Sequence, residues 1–304
     1  MTAPKLVIVG SIGIDHIETP SEKRTNLLGG SASYACAAAS FFSPPGMVGV
    51  VGDDFPVDFL ELYRGFSVDL QGLQQQPGRT FAWSGVYEEN MDNRRTLETV
   101  LGVFEHFQPD LPDGYRQASH VFLGNMAPQL QLHVLNQMQS PALVLADTMD
   151  LWIQIAREPL LEVISRVQML TLNESEARLL TGAHNLLSAA SQLLEMGPSA
   201  ILIKKGEHGS FLMTRDGLYI QPAFPLAAFA DPTGAGDTFA GALMGWLAEQ
   251  GSSQVADVRR AMLYGSVVAS FGVEQFSLEG LRQLSRSAVE ARVAALLKMT
   301  QFVD

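Results

Sequence analysis

A series of short, nearly continuous apolar runs limits the fold more than any other feature of this chain. They occupy residues 5–10, 47–52, 121–124, 142–147, 167–173 and 200–204. Strands that alternate apolar and polar residues keep one wet face, whereas these runs leave none. Strands buried on both faces belong to a parallel sheet covered by helices above and below. Helix-like stretches lie between the runs, at residues 32–42, 129–139, 151–165, 174–180 and 186–196. The alternation predicts an α/β fold, a three-layer sandwich around a mostly parallel central sheet. A β meander is expected over residues 209–224, and the remainder reads as helices at 236–250, 255–270 and 278–297.

Two more polar segments, about 14–28 and 79–104, interrupt the pattern. The second contains β-prone pieces at 80–87 and 96–104 joined by a turn-like stretch at 89–93. A small β lid outside the main sheet is expected, carried by a single domain spanning residues 1–304. At 304 residues the chain is about as long as one hydrophobic core can serve.

Charge and cysteine content remove several function classes. With 32 acidic against 20 basic residues, the formal charge of -12 repels nucleic acid and anionic membrane surfaces. Cys36 is the single cysteine, so no intramolecular disulfide can form, and a cytoplasmic, reducing location is expected. The N-terminal apolar run is too short for a secretory signal, and no run approaches the ~20 residues of a membrane span.

Familiar catalytic signatures are missing. No lysine follows a glycine, which excludes a Walker A loop. The first strand leads into Gly10-Ser11-Ile12-Gly13, without the G-x-G-x-x-G spacing of a dinucleotide fold. The histidines are scattered, with no zinc-ligand spacing, and no G-x-S-x-G elbow occurs.

One segment carries chemistry. Asp231-Pro232-Thr233-Gly234-Ala235-Gly236-Asp237 precedes an apolar helix. Gly234, Ala235 and Gly236 can turn consecutive N–H groups towards one point, and the helix they open adds its positive end, which makes an anion hole. Asp237 then sets a carboxylate beside the bound anion. That suits a hydroxyl losing its proton as a phosphoryl group arrives, and at a helix N-terminus the carboxylate should be a weak base. An Asp capping a flexible turn is the plainer reading of the same residues.

The stretch Asp231 to Asp237 resembles the D-x-x-G-A-G-D signature of the ribokinase-like (PfkB) carbohydrate kinases, and other landmarks of that family follow in order along essentially the whole chain. Gly29-Gly30 resembles its substrate-contacting diglycine, and Asp15 its substrate-hydroxyl aspartate. Asn173-Glu174-Ser175-Glu176 resembles the N-x-x-E motif that acts through water on magnesium and phosphate, although Asn173 with Glu176 also fits a helix capping box. Lys204-Lys205-Gly206-Glu207-His208-Gly209 resembles the strand-turn-strand bordering the nucleotide.

The resemblance implies an ATP-dependent small-molecule kinase with ATP as co-substrate and Mg2+ as cofactor. Asp237 would be the catalytic base, and Gly234, Ala235 and Gly236 the anion hole. Asn173, Lys204, Gly206, Gly209, Thr233, Gly234 and Gly236 would border ATP, and Asn173 and Glu176 would organise the hydrated Mg2+. Asp231 could help to hold a monovalent cation such as K+. Lids of the family often pair between subunits, which implies a possible homodimer through the lid.

The acceptor is less determined. Many sugar kinases of the family place an asparagine near the fifth position after the diglycine, where this chain reads Ser31-Ala32-Ser33-Tyr34. Phe81 and Trp83 in the lid, with Phe104 and Phe107 beyond, offer faces on which a base could stack, or else form the lid core. The pattern is similar to a bacterial branch of nucleoside kinases, which favours a ribonucleoside acceptor held by Asp15, Gly29, Gly30, Ser31, Tyr34, Phe81, Trp83, Asp147 and Asp237. A free sugar or polyol is the alternative, and a non-catalytic nucleoside or sugar sensor is the alternative of another class.

Overall fold

The computed structural model describes residues 3–89, 91 and 94–301. Among the described residues thirteen strands run in chain order: β1 (Leu6–Val9), β2 (Gly13–Glu18), β3 (Lys23–Gly29), β4 (Gly46–Val51), β5 (Asp69–Gln75), β6 (Phe81–Tyr87), β7 (Arg94–Val100), β8 (His120–Leu123), β9 (Leu143–Asp147), β10 (Met169–Asn173), β11 (Ala200–Lys204), β12 (Ser210–Thr214) and β13 (Gly217–Gln221). The helices are α1 (Ser31–Ala39), α2 (Val57–Gly65), α3 (Pro128–Gln137), α4 (Asp150–Ile155), α5 (Arg157–Arg166), α6 (Glu174–Thr181), α7 (Leu186–Glu195), α8 (Ala235–Gln250), α9 (Val255–Gly272), α10 (Glu279–Arg282) and α11 (Arg286–Met299).

Nine strands form the central sheet, in the order β13-β12-β11-β10-β9-β8-β1-β4-β5. All neighbours from β11 to β5 pair in parallel, and the β12–β13 meander adds an antiparallel edge. The parallel strands β1, β4, β8, β9 and β10 are almost wholly buried, as their sequences require, because helices cover both faces. One apolar core lies beneath α1, α8, α9 and α11, and the other beneath α3, α5, α6 and α7. The chain leaves β1 towards β4 and β5, then returns to β8 and builds outward through β11. The switch between β1 and β8 opens a crevice at their carboxyl ends, where ligands of such sheets bind.

Helix α8 is buried nearly all round, so it must be enclosed rather than lie on a surface. It crosses α1 at very short range. A Cβ on Gly241 would fall 2.2 Å from the Ala35 carbonyl oxygen, and one on Gly245 2.6 Å from that of Ala39. The alanine-rich α1 supplies the matching small face, and this close crossing sets the amino ends of the two helices beside the crevice.

Four strands make a separate sheet, β3-β2-β6-β7, over the crevice. Its strands β2 and β3 are joined antiparallel, β2 and β6 parallel, and β6 and β7 antiparallel. The turn expected at 89–93 falls partly outside the described residues. Residues 102–106 form a 3-10 turn instead of extending β7, and Phe107 is buried with its ring 5.8 Å from that of Phe104. Phe107 belongs to the core beneath the central sheet, and the half-buried Phe104 packs against it.

The helix expected over 151–165 is two helices, α4 and α5. Pro159 explains the break: a proline lacks the N–H that a helix interior needs and is tolerated only in a first turn, so the helix restarts at Arg157. The helix expected over 278–297 likewise divides, because Ser285 caps α11 by accepting from the Ala288 N–H at 3.2 Å. The unforeseen β5 is polar because it lies at the sheet edge. Among the described residues no helix is long and apolar enough to cross a membrane.

Candidate active site

The amino ends of α1 and α8 and the inner face of the small sheet enclose a cleft lined by Asp15, Gly30, Ser31, Tyr34, Phe81, Trp83, Arg94, Thr233, Gly234 and Asp237. Five elements distant in sequence thus meet at one point. Gly234 begins α8 with φ 73°, the left-handed conformation that glycine adopts without a Cβ penalty. The Tyr34 ring packs directly on it, 2.3–2.5 Å from where a Cβ would stand.

The loop divides its donors. Ala235 N–H donates to the Pro232 carbonyl at 3.1 Å, and Thr238 N–H makes the first bond of α8, to Gly234 at 2.8 Å. The intervening N–H groups of Gly236 and Asp237 have no helical carbonyl to reach, which is the ordinary state of a first turn. Ala235 was expected to supply an anion-hole donor; in the structure its N–H closes the turn onto the Pro232 carbonyl.

Asp237 was expected to be a weak base. Its carboxyl instead stands at about 7, because loss of solvent in the cleft wall, followed by the negative field of Asp147, outweighs Lys204, Arg94 and its own backbone N–H. Asp15 is also raised to about 7, first by burial and then by Asp231 and Asp237. Its Oδ1 and the Tyr34 hydroxyl are buried without a hydrogen-bond partner, two polar atoms that an acceptor could satisfy. Ser31 is used locally: its N–H donates to Ser11 Oγ and its Oγ accepts from Ser11 N–H, both at 3.2 Å.

A second group of residues lies at the carboxyl ends of β9, β10 and β11. Asp147 was expected among the acceptor contacts, but its carboxylate is spent elsewhere. Oδ1 accepts from Thr148 N–H at 2.9 Å and Oδ2 takes the Lys204 ammonium at 2.8 Å. Asn173 and Glu176 complete a capping box: Asn173 Oδ1 accepts from Glu176 N–H at 2.9 Å, and Glu176 Oε2 from Asn173 N–H at 2.7 Å. The Glu176 carboxyl is pushed up to about 7 by burial and by Asp147, against Lys204 and the Asn173 N–H. Gly206 and Gly209 form the β11–β12 turn at φ 53° and 85°, closed by Lys205 N–H donating to Gly209.

The residues fit a hydrated divalent cation. Glu176, Asp147 and Asp237 concentrate negative charge that Lys204 offsets only in part. Among the described residues no three His, Cys, Asp or Glu side chains form a cage; Mg2+ would fit by keeping most of its waters and using one or two carboxylates. Asp231 is buried, its Oδ1 accepts from Thr233 N–H at 2.9 Å, and its Oδ2 has no hydrogen-bond partner.

The raised carboxyls predict an inverted pH dependence of stability in the protein without ligands. Asp15, Glu176 and Asp237 keep protons between about pH 4 and 7 that the unfolded chain has released. The folded state then binds more protons, so these groups make stability fall as pH rises through that window. Asp237→Asn should accordingly raise Tm most near pH 8, less near pH 5 and hardly at all below about pH 4; a difference independent of pH in thermal melts would contradict the shift.

Arg94 is the site residue that sequence patterning does not single out from Arg79 and Arg95. Position on β7 decides it: Arg94 lies 5.9 Å from the Trp83 ring centroid, and its field reaches Asp237. Tyr87, also in the small sheet, shares a 2.9 Å hydrogen bond with Thr233 and so ties that sheet to the loop before α8.

Residues 3–280 match the pfkB family carbohydrate kinase profile. A cytidine kinase of Thermococcus kodakarensis is 32% identical over 247 residues, covering 79% of this chain and 87% of that protein. The nucleoside kinase of Burkholderia thailandensis in complex with inosine superposes with a TM-score of 0.79 at 20% identity, covering 96% of this chain and 98% of that one. Arabidopsis thaliana ribokinase complexed with ribose and ATP superposes with a TM-score of 0.77 at 22% identity, covering 96% and 99%.

Proposed function

The chain belongs to the pfkB family of carbohydrate kinases, and on that premise we propose that it transfers the γ-phosphoryl group of ATP to a hydroxyl of a ribonucleoside. The observation that carries this reading is one cleft in which Thr233, Gly234 and Asp237 at the start of α8 meet Phe81, Trp83 and Arg94 of the small sheet. The likeness to the cytidine kinase supports a nucleoside over a free sugar.

In this reading the acceptor lies between Asp15 and Tyr34, whose unsatisfied oxygens take its hydroxyls, with the base against Trp83 or Phe81. Asp237 accepts the proton of the attacking hydroxyl, and the N–H groups of Gly236 and Asp237 receive the phosphoryl oxygens. Asn173 and Glu176 would hold Mg2+ through its waters, and the ion would neutralise phosphate charge. The small sheet acts as the lid: Tyr87 and Arg94 close it over the reacting groups and exclude water.

The test is ADP release with Mg-ATP against ribonucleosides, pentoses, hexoses and polyols. Turnover led by a nucleoside is expected. Turnover confined to a sugar or polyol would replace the acceptor, and saturable binding with no ADP formed would favour a sensor. Gly29→Ala probes the acceptor end, because its Cβ would stand 2.0 Å from Asp15 Oδ2 and 2.2 Å from Cγ. Displacing that buried carboxylate by an ångström or more should lower kcat/KM for the acceptor about 100-fold while leaving Mg-ATP binding intact; an unchanged kcat/KM would remove Asp15 from the acceptor site.

We further propose K+ at Asp231, on the strength of its unpartnered buried Oδ2. Replacing Na+ by K+ should then raise kcat, and equal rates in both salts would reject the site.

A further inference from the structure

We propose that Lys204 is a catalytic residue that brings a fixed positive charge to the transferring phosphoryl group, and that Asp147 positions it. The proposal rests on the kinase reading above and assigns these two residues a part beyond bordering the nucleotide.

Three observations carry it. First, Lys204 leaves the carboxyl end of β11 and its Nζ lies 3.1 Å from the position a Cβ would occupy on Gly236. The ammonium therefore rests against the first turn of α8, beside one of the two free N–H donors and one residue from Asp237. A side chain at position 236 would displace it.

Second, the ammonium is held. It pairs with Asp147 Oδ2 at 2.8 Å, with the two side chains 18% and 7% exposed. The partner is itself fixed, since Asp147 Oδ1 accepts from Thr148 N–H and its backbone carbonyl accepts from the buried Gln131 side chain at 2.9 Å. Withdrawing two charges from water is costly, and a packed apolar pair would be at least as stable. Stability alone gives no reason for an ion pair here; a charge needed at the end of α8 does.

Third, Lys204 has donors to spare. An ammonium carries three N–H bonds, and among the described residues one hydrogen bond is made, to Asp147. Burial depresses its pKa, but Asp147 and Glu176 more than offset this, so it remains charged at neutral pH.

During transfer a bond forms between the acceptor oxygen and the γ-phosphorus while the bond from that phosphorus to the bridging oxygen of ATP breaks. The hydroxyl proton passes to Asp237, and the electron pair leaves with ADP. Lys204 neither gains nor loses a proton. It meets charge that shifts through the phosphoryl oxygens, and because it is already placed, it acts more strongly on the transition state than on bound ATP.

The experiment compares Lys204→Met, Lys204→Arg, Asp147→Asn and the Lys204→Met/Asp147→Asn double variant in the full chain. Lys204→Met should lower kcat about 100-fold with acceptor KM changed less than about threefold. Lys204→Arg should recover part of the loss. Asp147→Asn should lower kcat about tenfold, and the double variant should be no slower than Lys204→Met, because Asp147 acts through the lysine. The neutral double variant also restores charge balance if Lys204→Met folds poorly. Binding supplies a readout free of any acceptor: Mg-ADP with aluminium fluoride, a mimic of the phosphoryl in flight, should bind Lys204→Met about 100-fold more weakly, while Mg-ATP binding changes less than about threefold. Tight ATP binding by the natural chain without turnover of any acceptor would fail the nucleoside reading and leave this comparison readable. Wild-type kcat in Lys204→Met, equal losses of ATP and mimic binding, or losses that multiply in the double variant would overturn the proposal.

Discussion

Asp237→Asn should lower kcat by about three orders of magnitude or more and leave Mg-ATP binding within about threefold of the natural chain. The substitution keeps the size and the α8 first turn but removes the group that takes the acceptor proton, and general-base catalysis is worth about 10²–10⁴ in rate. The shape of the pH profile is tied to the same carboxyl. Asp237 must be deprotonated to act, so kcat/KM of the natural chain should rise with pH through about 7, where loss of solvent and Asp147 place its pKa. Steady-state ADP release over pH 5.5–8.5, with ATP binding by calorimetry, checks both parts. Full turnover in Asp237→Asn would remove the residue from the chemistry, and loss of ATP binding in step with kcat would make its part structural.

Gly234→Ala should be nearly as damaging, with kcat lower by about 10³ and a smaller loss of stability. Two costs coincide at this residue. A φ of 73° disfavours any residue with a Cβ by about 1–2 kcal/mol. The new methyl would also stand 2.3–2.5 Å from three atoms of the Tyr34 ring, so either the ring or the loop must move by about an ångström. Moving the loop withdraws the Gly236 and Asp237 donors, and loss of one such donor costs about 10²–10³. Moving the ring disturbs the acceptor end. Thermal melts separate the effects: a folded variant with a Tm within a few degrees and a collapsed kcat is the expected result. A variant with normal kcat would show that the start of α8 does not touch the phosphoryl group.

The ends of the parallel strands were legible because a strand buried on both faces has to be continuously apolar, and such runs stand out from their surroundings. The same reasoning missed β5, whose exposed edge admits Gln71, Gln74 and Gln75. It also joined α4 to α5, since the apolar spacing continues across a break that Pro159 and Ala156 impose on the backbone.

The site divides along a similar line. The sequence by itself determined the sheet order's raw material and the chemistry of the loop from Asp231 to Asp237, because glycine conformation, the first turn of a helix and an adjacent carboxylate are local properties of consecutive residues. Only the tertiary structure decided which groups those residues would face. It turned the Ala235 N–H into a turn bond, took Asp147 from the acceptor and gave it to Lys204, and selected Arg94 on β7 as the cation that reaches the cleft. The pKa of Asp237 was decided there too. A helix N-terminus lowers a carboxyl through nearby dipoles that are visible in sequence, whereas desolvation and the charge of Asp147 come from chain segments far away, and burial multiplies their effect.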